Sequence, residues 1–314
     1  MSRCPITYEA LPEGAFYSQQ GLKLLNRNLT SLLPLEFTAE QQRQEAIERA
    51  GKMSIQGLQL KLSLVLRITE GRFEVVNRGG QYIMKPQSLD FPELPENEDV
   101  TMRMAAAVGI EVPIHGLVRS IDDTFGYFIK RFDREGRDRL PVEDFAQLSG
   151  ESRDTKYDSS MEKVATVIEQ FCTFPAFEKA KLFERALFSF LVGNEDMHLK
   201  NFSLITRNEK VELAPAYDFL NTTIALKAAK EEMALPIKGK KSKLTRNDFL
   251  SYFARDRLQL NEKILGDVLT RFSKWISLWR ELLDQSFLSA EAKQKYAAVL
   301  TERVQRMQLC PASR

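Results

Sequence analysis

From Ala176 to Val192 the chain carries helical spacing and grows markedly apolar toward its end, through Leu187, Phe188, Phe190, Leu191 and Val192. A helix with so little polar surface is buried in a core, so the residues just after it are delivered to a fixed place. Those residues are Gly193-Asn194-Glu195-Asp196-Met197-His198-Leu199-Lys200-Asn201-Phe202-Ser203, then a predicted hairpin around Asn208-Glu209, and then Tyr217-Asp218-Phe219. One buried helix therefore leads to a carboxylate, a short loop, a carboxamide and a second carboxylate. Phosphoryl transfer needs such a set: Asp196 to orient an attacking hydroxyl, Asn201 and Asp218 to hold Mg²⁺ against phosphates. Taken alone, Asp196-x-x-x-x-Asn201 also fits two turn caps, and context has to decide.

The context lies upstream. Leu58 to Leu66 alternates apolar and polar residues as a half-buried strand does, and Lys52 to Gly57 is a Ser/Gly loop entering it. A second strand, Phe73 to Val76, passes through Arg78-Gly79-Gly80 to a third, Gln81 to Lys85. A loop, a hairpin and a strand ending in lysine is the arrangement that covers nucleotide phosphates and sets one lysine on them. The helix predicted from Glu96 to Gly109 begins with Glu98 within reach of Lys85. Separately, Lys85 reads as a solvated strand end and Glu98 as a first-turn acid facing the helix dipole. Strands at 113–118 and 126–132 come next, with a charged linker from Asp133, so the lobe boundary is set at residue 133.

Residues 1–50 carry two modest helical signals, the second with Thr38 as N-cap and Gln41 at the capping-box position. Beyond Asp218, Thr222 to Leu226 and the basic run Lys238 to Lys243 read as a mobile loop, and helical segments near 246–257, 261–284 and 289–308 end the chain. The expected fold is α+β and two-lobed, protein-kinase-like, with a sheet-rich N-lobe at 1–133 and an all-helical C-lobe at 134–314. A net charge of +2 over 314 residues argues against direct nucleic-acid or membrane binding. Cys4, Cys172 and Cys310 lie far apart and form neither a zinc motif nor a secreted framework, which points to a reduced, cytoplasmic setting. With two histidines in the chain, His198 reads as a loop-shaping residue rather than a zinc ligand.

Six motifs in order carry a resemblance: Ser54-Ile55-Gln56-Gly57-Leu58-Gln59-Leu60-Lys61-Leu62, Tyr82 to Pro86, Glu96-Asn97-Glu98, Lys130 to Arg134, Gly193 to Ser203, and Leu213 to Asp218. Together they resemble the HipA family of serine/threonine kinases, the toxins of bacterial toxin–antitoxin modules. The resemblance implies Asp196 as catalytic residue, Asn201 and Asp218 as Mg²⁺ ligands and Lys85 on the ATP phosphates. It also implies adenine against the Lys130–Phe132 backbone, with Glu98, His198 and Gly57 among the nucleotide-binding residues. Ser54 would be the autophosphorylated serine whose charge ejects the loop. Gln56 departs from the second serine common in the family, which puts two-site regulation in question. Residues 1–50 are too short for the family's extra N-terminal subdomain, which resembles the short form, HipT, of three-component modules. That implies a small antitoxin protein supplying the missing piece, a helix-turn-helix DNA-binding partner, and an aminoacyl-tRNA synthetase as substrate, tryptophanyl-tRNA synthetase for the short form. A small-molecule kinase and a pseudokinase scaffold remain the alternatives.

Overall fold

The computed structural model describes residues 2–50, 60–136, 138–152, 154–226 and 231–309; the Ser54–Gly57 loop lies outside them. The chain divides into two compact units. The first holds Met1–Val100, Pro113–Arg137 and Gln285–Leu288; the second holds Thr101–Val112, Asp138–Asp284 and Ser289–Arg314.

In the first unit β1 (Leu62–Arg67), β2 (Arg72–Val75), β3 (Tyr82–Lys85), β4 (His115–Arg119) and β5 (Phe125–Lys130) form one sheet in the order β2-β1-β3-β5-β4. All its pairings are antiparallel, with Leu64 opposite Tyr82 and Tyr82 opposite Lys130. Alternation then sends Leu62, Leu64, Leu66, Tyr82, Met84 and Phe128 to one face, where all are buried. Phe73, Tyr82 and Phe128 meet there with ring centroids 5.1–6.1 Å apart. That face is covered by the first 50 residues, through Cys4, Ile6, Leu22, Leu25, Leu29, Leu32, Leu35 and Ala46. The cover includes helices α1 (Gln19–Leu25) and α2 (Ala39–Ala50). α2 starts with the expected capping box: Gln41 N–H donates to Thr38 Oγ1 at 3.2 Å and Thr38 N–H to Gln41 Oε1 at 2.9 Å. The turn into β3 needs Gly80, because a Cβ there would lie 1.8 Å from Ser63 Oγ.

Helix α3 (Leu94–Ala107) opens with Glu96, Asn97, Glu98 and Asp99, and all four are buried. Acids in a first turn suit the helix dipole, but out of water each needs a partner as well. Glu96 accepts from the Gln87 amide at 2.8 Å on both oxygens. Asp99 accepts from Tyr8 Oη at 2.7 Å and lies 3.2 Å from His115 Nδ1. Glu98 takes Lys85.

The second unit contains the helices α4 (Phe145–Leu148), α5 (Met161–Phe171), α6 (Pro175–Val192), α7 (Thr222–Ala225), α8 (Asp248–Arg257, wound as a π-helix), α9 (Glu262–Gln285) and α10 (Ala290–Arg306). α6 is buried along its C-terminal half as its composition requires, with Phe188 against Phe219 and Trp279 at 5.0 and 5.5 Å, and Phe190 against Phe249 at 5.0 Å. The expected hairpin is present as β7 (Ser203–Arg207) and β8 (Lys210–Leu213), its turn made by Asn208 and Glu209 at φ 48° and 63°. A further strand, β6 (Val142–Asp144), pairs with β7, and a short ribbon joins Arg134–Glu135 to Asp138–Arg139, so the second unit is helix-rich and not all-helical as expected.

Another expectation is corrected. Thr222–Ala225 is a helical turn whose N-cap, Asn221, accepts from Ile224 N–H at 3.1 Å, not a mobile loop. The basic run is held too: Ile237 and Lys240 exchange backbone bonds at 3.0 Å, Lys240 pairs with Asp248 and Lys241 with Glu231. The acids that pair with Lys240 and Lys241 lie outside the run, so its own residues do not announce them. Among the described residues no helix is long and apolar enough to cross a membrane.

Burial pushes the Glu96 carboxyl up to about 7, against the pull of Gln87. The folded chain then holds a proton that the unfolded chain releases, so this site's contribution is present below pH ~4.5 and is lost as pH rises toward 7. Glu96→Gln should flatten that fall, seen as a melting temperature less dependent on pH between 5 and 7 than that of the wild type.

Candidate active site

Lys85 ends β3 on the sheet face opposite Tyr82, and its Nζ lies 2.6 and 2.7 Å from the two Glu98 oxygens. Both side chains are buried, at 2% and 0% exposure, and the ammonium also lies 5.6 Å from the Tyr127 ring centre. The pairing that the sequence suggested is therefore made. Lys130, opposite Tyr82 in the register, points its side chain to the other face, where it lines a cavity of about 240 Å³ with Leu25, Leu66, Tyr82 and Arg131. Its backbone N–H is already bonded to Ile114 O at 2.7 Å, and that of Arg131 to Gln81 O at 2.8 Å. Phe132 comes next, partly buried.

In the second unit the loop begins where α6 stops. Gly193 takes the left-handed conformation at φ 72°, and a Cβ there would come within 2.9 Å of Asn221 Oδ1 and Thr223 Oγ1. Neighbouring hydroxyls clamp the loop: Gly193 O accepts from the Thr222 and Thr223 hydroxyls at 3.2 and 3.1 Å, and Glu195 N–H donates to Thr222 Oγ1 at 2.6 Å. Asp196 N–H donates to Asn194 Oδ1 at 3.1 Å, and Asp196 O accepts from Asn201 Nδ2 and His198 N–H, both at 2.8 Å. The two ends of the D-x4-N spacing are thus tied directly, and the amide bond leaves Asn201 Oδ1 as an acceptor.

Tyr217 locks the far side, donating to Lys200 O at 2.9 Å and accepting from Ser203 Oγ at 2.6 Å. Burial raises its phenol well above the ordinary range. The next residue, Asp218, sits at φ 57°, a conformation that non-glycine residues rarely adopt, with Phe219 buried behind it.

Two residues that sequence reasoning missed complete the site. Tyr157 Oη donates to Asp196 Oδ1 at 2.5 Å, and Lys156 Nζ lies 2.7 Å from His198 Nε2. An ammonium can donate only to an unprotonated ring nitrogen, and His198 is held below its usual pKa by burial, with Lys156 adding to it against the pull of Asp196 and Asp218. Its Nδ1 is buried without a hydrogen-bond partner among the described residues. The Tyr157 phenol is raised by burial and by Asp196. No local pattern announces Tyr157, since it precedes Asp196 by 39 residues.

Among the described residues no group of three His, Cys, Asp or Glu side chains could hold a metal. An amide oxygen and one carboxylate, Asn201 and Asp218, fit Mg²⁺, which keeps several waters and takes the rest of its shell from substrate phosphates.

A sheet with a buried lysine–glutamate pair, and a helix-rich unit with this Asp/Asn/Asp set, define a protein-kinase-like fold of the HipA type. Residues 53–279 match the HipA-like C-terminal domain, and the chain belongs to that family. It is 30% identical over 301 residues to a provisionally named kinase of Haemophilus influenzae, covering 89% of this chain and 83% of that protein. The serine/threonine-protein kinase toxin HipA of Shewanella oneidensis is 27% identical over 194 residues, which span 54% of this chain and 43% of the toxin. The solved complex of Shewanella oneidensis HipA with HipB and operator DNA superposes at a TM-score of 0.65 and 22% identity, over 96% of this chain and 74% of the other.

Removing one partner of a buried ion pair leaves a bare charge in the core, at a cost of about 3–5 kcal/mol. Lys85→Met should lose stability on that scale in urea unfolding, and Lys85→Met combined with Glu98→Leu should recover most of it. Additive losses would show that the two charges do not compensate each other.

Proposed function

We propose that this chain is a HipA-like toxin kinase, an ATP- and Mg²⁺-dependent serine/threonine protein kinase acting in the cytoplasm. The observation that carries the proposal is the Asp196 loop: its backbone is fixed through Asn201 and His198 while its carboxylate faces a hydroxyl donor. Phosphoryl transfer asks little covalent chemistry of the protein and much positioning. Asp196 orients the acceptor hydroxyl and takes up its proton. Asn201 and Asp218 would hold Mg²⁺, which when bound supplies positive charge beside the phosphates. Lys85, aligned by Glu98, binds ATP phosphate oxygens, and the Lys130–Phe132 segment borders the adenine. Functionally the chain divides into a nucleotide-holding part, residues 1–133, and a transferring part, residues 134–314. Ser54 is the autophosphorylation site, and Gly57 lets the loop backbone approach the phosphates.

By likeness to HipA, solved with HipB and operator DNA, the chain works with a helix-turn-helix DNA-binding antitoxin partner. We further propose the short, HipT-type role, in which a small separate protein acts as antitoxin. The substrate in this reading is an aminoacyl-tRNA synthetase, tryptophanyl-tRNA synthetase first among them, whose phosphorylation halts translation and growth.

The test is transfer of labelled phosphate from [γ-³²P]ATP to purified tryptophanyl-tRNA synthetase and to cell-lysate proteins, with phosphosites mapped by mass spectrometry. Wild type should label a synthetase serine, and Asp196→Asn should lose at least roughly a thousandfold in rate while melting like the wild type. Label appearing on a metabolite and on no protein would instead make this a small-molecule kinase.

A further inference from the structure

The connection between α4 and α5 has neither helix nor strand from Ser149 to Ser160, apart from Arg153, which is not described. Four contacts join Lys156 and Tyr157 to the catalytic loop. Lys156 O accepts from Leu199 N–H at 3.3 Å, and Lys156 Nζ lies 2.7 Å from His198 Nε2. The Tyr157 ring stands edge-on to the His198 ring, centroids 5.0 Å apart and planes at 79°. Its hydroxyl then reaches Asp196 Oδ1 at 2.5 Å.

We infer that Tyr157 is a positioning residue for Asp196, holding one carboxylate oxygen so that the other is presented to the acceptor hydroxyl. The inference rests on the kinase reading above. A carboxylate turns easily about its terminal torsion, whose preferences are broad and twofold. A charge-assisted O–H···O⁻ bond is short and strong enough to stop that rotation. The second oxygen takes no hydrogen bond from the described residues, as a group waiting for a substrate proton must. The donor's identity also matters. A lysine or arginine on Oδ1 would cancel the charge that attracts the proton, whereas a phenol leaves the carboxylate its full negative charge. Ring packing on His198, itself fixed by Lys156, sets the direction of the O–H, so the pair Lys156-Tyr157 works through His198 as a bracket around the loop.

The experiment compares wild type, Tyr157→Phe and Asp196→Asn. Tyr157→Phe keeps the ring and removes only the hydroxyl. With Mg²⁺ and ATP, its kcat for ADP formation should fall roughly ten- to a hundredfold, the cost of a misaligned reacting group, with KM for ATP and melting temperature unchanged. As an independent readout, tyrosine labelled with ¹³C at Cζ and titrated by NMR should show the Tyr157 phenol ionising at lower pH in Asp196→Asn than in the wild type. An unchanged kcat in Tyr157→Phe, an increased kcat, or phosphate mapped onto Tyr157 itself would each overturn the positioning role. Absence of ADP formation by the wild type would instead remove the kinase reading on which the inference rests.

Discussion

A charge taken out of water has to meet a partner, and that single requirement shapes both units of this protein. The first turns of α3 carry Glu96, Glu98 and Asp99 inside the fold, and four side chains answer them: the Gln87 amide, the Lys85 ammonium, and the Tyr8 hydroxyl with His115. Tyr8 comes from the N-terminal segment and His115 from β4, so the same acids that could serve chemistry also fasten the cover to the sheet. In the second unit Arg185 shows the rule from the cationic side. It is buried, donates to Ala214 O at 2.6 Å, and is drawn down to about 10 by desolvation. Ala214 is part of the approach to Tyr217 and Asp218, so this buried charge holds the strand end that carries the second carboxylate.

The Gly193–Ser203 loop obeys a related constraint with backbone groups. A loop that enters the interior must account for its N–H and C=O groups without a ladder to satisfy them. Here Asn194, Asn201, Thr222 and Thr223 do so, each bonding to loop backbone at 2.6–3.2 Å. The residues that give the motif its chemical meaning are thus also the ones that make its conformation possible. Asn201 shows this most directly, since its amide nitrogen closes the loop on Asp196 O.

Much of this was legible in the sequence because the signals were local. The Gly79-Gly80 turn, the capping box of α2, the apolar end of α6 and the Asn208-Glu209 hairpin each depend on neighbours within a few residues, and each appears where its pattern placed it; the alternating strand expected from Leu58 to Leu66 is seen as β1 from Leu62 to Arg67. Lys85 and Glu98, 13 residues apart, were reachable because a strand end and the next helix start were both predictable. Distance along the chain set the limit. Residues 1–50 offered two modest helical signals, yet their scattered leucines cover the sheet, a role visible only once the β1–β3–β5 register fixes which face needs covering. The basic run read as a mobile loop because Glu231 and Asp248, which pair with Lys241 and Lys240, lie outside it.

Lys130 shows how a strand register limits the work open to a motif residue. A lysine at the end of β5 has the right sequence distance from Lys85 to share its work. Antiparallel pairing sets it opposite Tyr82, however, and strand alternation then places its side chain on the face away from Lys85. A shift of one residue would exchange the faces, but it would also move Phe128 and Met84 out of the packed core, where both are fully buried. Hydrophobic burial therefore decides which lysine faces Glu98. The fold has also used the backbone N–H groups of Lys130 and Arg131, bonded to Ile114 O and Gln81 O. If this stretch borders a nucleotide as proposed, its backbone would meet it through carbonyl oxygen, an acceptor that selects a donor such as an exocyclic amine.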